Sequence, residues 1–556
     1  MKKAGLQKSS FIKHIPASIA ALVALCVLAG LAYGPLVATA GVFGDDPNVL
    51  YAYHRMGTDG FDAFYGWARP YSTWVYKLVI PLIGINLTRI HLITICLRVI
   101  SSWMLFLLVR ELVNGQTAMA WIAAMTALVF PGFTQQAQSV QFLLHFSVLS
   151  LALFSIWAMV KGVRTEKPTW RVFWLAVAIT SAVAQISIEY FFGLELVRPV
   201  VLGLAIQGGK KRKSSLARFL RFYWPFLALL GVYLTWRVFI FQPAYPRITV
   251  LDAMRVQPIA TVAALIGRIG TDLVIVLGGA WAEMVRMIFS DPITPVMGLC
   301  GVAAGGLAVA GFLPIRRQEP AEKKINQCMI WIGMSAVLLE GVPLWVSGTP
   351  LTGTHPWNRT MLCYLAGVSM LSAGVVSLLP RRMMQALVPV IMGMAIVFQH
   401  QIAADYTREW LQVKDVFDQF TNQAPQLSEG TLVLYDDLPF HYYSANNLNA
   451  FLNWTYDPQR GSGNEKYKLF EIDERLGNAL PTLNPGEPIV HNTFKGNTSQ
   501  VLVIALGADG ELVILDKKIP FEGPLPGRTR EALHLSDPQG LIKFDRGQAK
   551  VPAVLE

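Results

Sequence analysis

The sequence predicts a polytopic α-helical membrane protein with a small α/β domain at its C-terminal end. Three observations predict it. Of the 556 residues, 53% are hydrophobic and only 15% are charged, where soluble globular chains carry about 25% charged residues. The apolar residues gather in runs long enough to cross a bilayer, which takes about 20 residues per helix. The net charge of +11 sits in short clusters between those runs. That is the pattern of cytoplasmic loops, not of a nucleic-acid-binding face, so no nucleic-acid partner is expected.

The basic N-terminus MKKAGLQKSSFIKH precedes an apolar run from Ile15 to Ala40. A possible cleavage site near Ala40 makes a signal peptide a competitor, but the run is long enough for a retained first span. Counting Lys and Arg in the connections orients the later segments. The basic connections are residues 1–14, Lys161 to Lys167, Lys210 to Lys213 with Arg218 and Arg221, Arg316 to Lys324, and Arg381-Arg382. All are expected in the cytoplasm, which puts 41–88 outside. RPYSTWVYKLVIPLIGIN (69–86) is short and holds Lys77, Pro81 and Gly84. As a span it would push Lys210 to Lys213 outward, so it reads as an amphipathic helix in the outer interface. Further spans lie at 89–110, 117–133, 140–160, 170–188, 191–207, 220–240, 293–313, 325–346, 358–379 and 384–401. With the first helix this makes about eleven, an odd number that puts the C-terminus outside. Pro258 to Ile288 carries Arg268, Asp272, Glu283 and Arg286 at helical spacing and reads as another outer juxtamembrane or re-entrant helix, with a buried transmembrane pair as the alternative.

The membrane domain therefore covers 1–401, and residues 402–556 form the extracytoplasmic α/β domain. There charge, Asn, Pro and Gly rise. Residues 402–423 read as a helix leaving the membrane, GTLVLYDD (430–437) as a strand ending in two acids, and VLVIALGADGELVILD (501–516) as a hairpin around an Asp-Gly turn. Asp436, Asp437, His441, Tyr442 and Tyr443 cluster after the strand end; sugar contact competes there with a plain surface loop.

Several outer residues carry possible chemistry. Asp45 and Asp46 come directly after the first helix, and adjacent carboxylates at a membrane face are costly without solvation or a role. One of them suits a general base; Asp46 before Pro47 equally suits a helix cap. Asp59 and Asp62 read as surface or capping residues. Glu189 lies at the outward end of the fifth span, where it pairs with a cation or lines a cavity. Glu195 and Arg198 are three apart on one helix and can neutralise each other. GTPLTGTHPWNRTM (348–361) places His355, Trp357, Asn358 and Arg359 at the mouth of a span. Arg suits bidentate phosphate contact, with Arg69 and Arg98 as further candidates; Trp357 reads as an interface anchor. Cys26, Cys96, Cys300, Cys328 and Cys363 lie in apolar segments without a CxxC pair, which supports neither a disulfide framework nor a zinc site. No P-loop, GxSxG or HExxH motif is present.

A basic N-terminus, one span, an outer loop with an acidic pair, and ARPYSTWVYKLVIPLIGINLTRIHLITICLRVISSWMLFLLVREL (68–112) together resemble the GT-C superfamily of integral membrane glycosyltransferases. Protein O-mannosyltransferases and lipid A aminoarabinose transferases are members. ALVFPGFTQQAQSVQF (127–142) is similar to that family's Pro-containing second outer loop. The resemblance covers about residues 15–240 and extends more loosely to the last spans. It implies transfer of a sugar from a polyprenyl-phosphate carrier to an acceptor outside the cytoplasm. It implies that Asp45 and Asp46 carry the catalytic carboxylate, that the helix after the Arg-Pro bears a polar position near His91 and Arg98, and that a cation near Arg359 holds the lipid phosphate. One departure is plain: many members have a further acid in the second outer loop, where this chain has Gln135, Gln136 and Gln138. Glutamines are poor sole ligands for a hard cation, so no cofactor is assigned and a divalent metal is left open. The expected partners are a lipid-linked sugar donor, membrane lipids and an acceptor the sequence does not identify; the expected location is the inner membrane of a bacterial cell. Two alternatives stay open: a transporter or flippase for a lipid-linked saccharide, and a non-catalytic glycan-binding relative.

Overall fold

The structure is a computed structural model that describes residues 16–113, 115–207, 216–241, 249–310, 320–436, 438–461, 464–472, 484, 486–491, 494–507, 510–519, 525 and 527–543. The basic runs at 1–14 and 210–213, the start of the run at 316–324, Asp437 and the Asp509 of the hairpin turn lie outside the described residues.

Chain order runs α1 (Ala17–Thr39), α2 (Asp46–Met56), α3 (Asp59–Tyr65), α4 (Trp74–Ile83), α5 (Leu87–Leu112), α6 (Thr117–Val129), α7 (Ser139–Arg164), α8 (Pro168–Ala182), α9 (Phe192–Gln207) and α10 (Leu216–Thr235). It continues through α11 (Thr249–Val256), α12 (Pro258–Val274), α13 (Ala280–Ser290), α14 (Pro295–Ala310), α15 (Pro320–Ser347), α16 (Leu365–Val376) and α17 (Arg381–Gln423). The segment at 69–86 behaves as its composition predicts. Helix α4 has ten residues, a length of about 15 Å against a hydrocarbon core of about 30 Å. It buries Val75, Tyr76 and Ile80 and exposes Leu78 and Leu82. Gly84 at φ 70 ends it, and the Asn86 side chain caps the next helix by accepting from Arg89 N at 2.9 Å.

Among the described residues nine helices are long and apolar enough to cross a membrane. Eight coincide with predicted spans and the ninth is Pro258–Ser290; the predicted spans at 117–133, 191–207 and 293–313 form shorter helices, α6, α9 and α14. Close glycine contacts seat two of these. A Cβ on Gly193 of α9 would meet the Glu340 backbone of α15 at 2.3 Å, and one on Gly301 of α14 would meet Gly393 O of α17 at 3.1 Å.

Pro258–Ser290 is long and apolar enough to be a span, and its polar and aromatic residues reach several other segments. Arg268 donates to the Thr349 carbonyl, and Trp345 Nε1 donates to Asp272 Oδ2 at 2.9 Å, both at the C-terminal end of α15. The Trp281 ring lies 6.3 Å from Phe130, at the end of α6. Gln401 of α17 donates to Met287 O at 3.3 Å and to Asp291 O at 3.4 Å. Residues 268–291 thus contact the C-terminal ends of α15 and α6 and the middle of α17. The polar residues noticed in the sequence make these contacts, while Val274 and Phe289 stay exposed.

The C-terminal domain has a four-stranded sheet in the order β2-β1-β5-β6. β1 (Leu432–Tyr435) pairs in parallel with β2 (Lys468–Glu471) and β5 (Val501–Leu506), and β6 (Leu512–Leu515) pairs antiparallel with β5. β3 (Pro488–His491) and β4 (Phe494–Asn497) form a separate antiparallel pair. The hairpin predicted at 501–516 is β5–β6, with Val503 opposite Leu515 and Leu506 opposite Leu512. β1 is buried at all four positions, as expected of a strand covered on both faces. Helix α18 (Ala445–Tyr456) packs between the sheet and α2. Helix α17 is continuous over 43 residues, so the predicted boundary at 401/402 falls inside a single rod shared by the bundle and the domain.

Candidate active site

The acidic pair is split by one peptide bond into two environments. Asp46 is fully buried, and its carboxylate accepts from Val140 N at 3.0 Å and Gln141 N at 2.8 Å. These are orphan donors of the first turn of α7, which a helix must satisfy from outside itself, and the positive end of the helix favours an acceptor there. Burial pushes the Asp46 carboxyl well up, against the two N–H donors. Asp46 is therefore a clamp that ties α2 to α7. Asp45, at the start of α2, is half-buried and makes no side-chain capping bond. Burial raises its carboxyl, and the Arg359 and Arg69 guanidiniums oppose the rise. An acid raised above its ordinary value, with no hydrogen-bonding side chain or backbone partner among the described residues, has the properties of a general base.

Gly44 makes this approach possible. Its φ of +56 strains any side chain, and a Cβ there would meet Gln138 Oε1 at 2.7 Å. Gln138 contacts His355 Nε2 at 3.1 Å. Gln135 donates to Pro356 O at 2.8 Å and also to Asn358, whose side chain donates to Thr134. The glutamines that replace an acid in this loop therefore hold the 355–359 segment in place. Burial, then His441 and Arg359, lower the His355 imidazole to about 4, so it is neutral at pH 7.

Arg359 lies beneath this segment with its guanidinium carbon 4.9 Å from the Trp357 ring centre. It has no ion-pair partner among the described residues, and its Nε is buried without a hydrogen bond. Glu189 comes after an extended residue, Ile188, in the turn between α8 and α9. It bridges two cations: Arg69 Nε lies 3.0 Å from Oε2 and Arg237 Nη2 lies 3.1 Å from Oε1. Burial pushes Glu189 up, but Arg69 and Arg237 outweigh it and hold the carboxyl below the usual range. The Tyr190 phenol is pushed up by burial and pulled back by Arg359 and Arg69; the Arg69 guanidinium carbon lies 5.7 Å from its ring centre.

Arg69 thus pairs with Glu189, the Arg359 and Arg69 guanidiniums act on the Asp45 carboxyl, and Arg359 also acts on His355. The structure leaves Arg98 apart. That guanidinium is buried in an aromatic box, 4.6 Å from the Tyr33 ring centre and 5.1 Å from Phe133, and donates to Gln136 Oε1 at 3.0 Å. His91 is likewise buried, bonded to Gly41 O at 2.8 Å. Glu195 and Arg198 form the buried pair their spacing suggests. Asp62 pairs with Lys77 at 2.5 Å on the surface. Of the acid and aromatic cluster after β1, Asp436 accepts from Arg528 N and Thr529 N, and Tyr443 donates to Val42 O at 2.7 Å. Among the described members of that cluster, the exposed His441 and the half-buried Tyr442 meet His355, with ring centres 5.7 and 5.3 Å away. Sequence reading missed Arg237 and Tyr190; an Arg near the end of the apolar run 220–240 was the available signal. No cluster of three or more His, Cys, Asp or Glu able to hold a metal forms among the described residues.

No protein-family profile and no curated protein matches the sequence. Solved structures do align with it. An oligosaccharyltransferase from Archaeoglobus fulgidus aligns at 12% identity and TM-score 0.38 over 81% of this chain and 63% of its own. The chain therefore spans less than two thirds of that enzyme. ArnT from Cupriavidus metallidurans bound to undecaprenyl phosphate aligns at 15% identity and TM-score 0.33 over 88% of this chain and 98% of its own. The same ArnT in the apo state aligns at 16% identity and TM-score 0.32 over 86% and 97%. This chain is similar to these structures at low identity.

Proposed function

We propose that this protein is a membrane glycosyltransferase that moves a sugar from a polyprenyl-phosphate-linked donor to an acceptor hydroxyl. The observation that carries the reading is Asp45: a half-buried carboxylate, free of hydrogen bonds among the described residues, whose burial-raised pKa is opposed by the Arg359 and Arg69 guanidiniums. In the proposed step the acceptor oxygen bonds to the anomeric carbon and passes its proton to Asp45. The bond from that carbon to the phosphate oxygen breaks, and the polyprenyl phosphate leaves with the electron pair. Arg359 and Arg69 hold the leaving phosphate, as preorganised cations stabilise developing charge without reorganising. Glu189 lines the cleft.

The chemistry is proposed for the extracytoplasmic face of an inner membrane, with the N-terminus in the cytoplasm and the C-terminal domain outside, on the Lys/Arg asymmetry of the connections. The test uses membranes supplied with a radiolabelled polyprenyl-phosphate sugar. Asp45→Asn is expected to lower transfer by about 10²–10⁴-fold. Undiminished transfer by normally expressed Asp45→Asn would overturn the base assignment, and lipid-linked saccharide crossing liposomes without transfer would favour a flippase.

A further inference from the structure

We propose that Arg237 joins Arg69 and Arg359 as a phosphate ligand, and that the Glu189 carboxylate occupies Arg69 and Arg237 until a lipid phosphate displaces it. This deepens the donor reading above and rests on it.

Glu189 gives one carboxylate oxygen to each guanidinium, at 3.0 and 3.1 Å. That leaves donors unused: Arg237 Nη1 is buried without a partner, and so is Arg359 Nε. The buried pair inside the bundle is different. Arg198 grips Glu195 through two nitrogens and donates to Ser155; its Nη1 also lacks a partner, but its side chain is 0% exposed and closed to a ligand. Glu189 and Arg69 are 28% and 34% exposed, so a ligand can reach them. Neither of the two elements that hold the Glu189–Arg237 contact is regular helix. Glu189 opens a three-residue 3-10 turn, and Arg237 sits in the π-turn Trp236–Ile240; such π segments cluster at functional sites because they can shift register.

Charge points the same way. Arg69, Arg237 and Arg359 face Asp45 and Glu189, leaving one positive charge uncompensated. A phosphodiester monoanion balances it. Phosphate and carboxylate offer guanidinium the same planar oxygen pair, so each can replace the other on Arg69 and Arg237.

The test measures binding of undecaprenyl phosphate to the full-length protein in detergent. Glu189→Asp keeps the charge but is one methylene too short to bridge both guanidiniums. It is expected to bind about 3- to 5-fold tighter, the worth of a partly exposed ion pair. Glu189→Gln is expected to bind tighter as well. Arg237→Gln is expected to bind about 10- to 100-fold weaker. Wild-type affinity or weaker in both Glu189 variants would show that Glu189 positions the arginines and does not compete. Unchanged affinity in Arg237→Gln removes Arg237 from the site. A monodisperse wild-type protein that binds no undecaprenyl phosphate overturns the donor reading itself, apart from either variant result.

Discussion

Adjacent residues can differ in everything but name. Asp45 and Asp46 share a peptide bond, yet one faces guanidiniums and the other holds the first turn of a helix 94 residues away. Asp46→Asn turns an amide donor toward backbone donors that need an acceptor. It is expected to cost about 1–3 kcal/mol, read as a lower melting temperature in detergent. Asp45→Asn is expected to melt as wild type and lose transfer. For the base, sign matters. Asp45 acts when ionised, and burial raises its carboxyl, so turnover falls as pH drops through that raised value. Arg359 opposes the rise. In Arg359→Gln the acidic limb of the rate profile at saturating donor is expected to move to higher pH. An unmoved limb would show that Arg359 does not act on the base. The pair was visible in the sequence, but the division of roles was not, because the donors that claim Asp46 come from α7.

At the scale of elements, the 355–359 segment joins two parts of the molecule. Gln135 and Gln138 hold it from the bundle, and His441 and Tyr442 meet it from the C-terminal domain. His355 has a folded pKa of about 4, depressed from 6.5 by burial, His441 and Arg359. A depressed histidine leaves the unfolded chain binding the extra proton between those values. Its stability contribution is present above pH 6.5 and is lost as pH falls toward 4. Asp405 and Glu409 of α17 also face this region, so the contribution is isolated by comparison. Acid sensitivity of the domain to proteolysis is expected to be greater in wild type than in His355→Gln below pH 6.5, and equal above it. Equal sensitivity throughout would remove His355 from the contact. Helix Pro258–Ser290 shows a different limit of sequence. Its length and hydropathy are those of a span, and only the tertiary structure shows the partners of Arg268, Asp272 and Trp281.

For the whole molecule, the Lys/Arg asymmetry of the connections leads us to expect residues 252 and 286, the 348–356 loop and the C-terminal domain on the outer side, and the 165–167 connection on the cytoplasmic side. In a background without native cysteines, Asp252→Cys, Arg286→Cys, Gly353→Cys and Ser499→Cys are expected to react with an impermeant maleimide in intact cells. Lys167→Cys is expected to react only after permeabilisation. Opposite labelling of positions 252 and 286 would make Pro258–Ser290 a true span. The C-terminal domain is tied down at several points: Tyr443 to Val42 O, Gly461 N to Arg55 O at 3.1 Å, and His54 to Pro458 O at 2.8 Å. With α17 running unbroken between bundle and sheet, the domain forms a wall of the site.

The sequence by itself determined the helical bundle, the places of its helices, the juxtamembrane helix at 69–86 and the β5–β6 hairpin. These arise from local properties: the length of apolar runs, alternation, and the capping and turn preferences of neighbouring residues. It also marked Asp45, Glu189, Arg69 and Arg359 as charges in costly positions. The tertiary structure decided which charges meet. It separated Asp45 from Asp46, sealed Arg98 among aromatic rings, brought Arg237 onto Glu189, and used the second-loop glutamines as scaffold. Those outcomes depend on contacts between segments far apart in the chain, such as the 120 residues between Arg69 and Glu189, and local pattern carries no record of them.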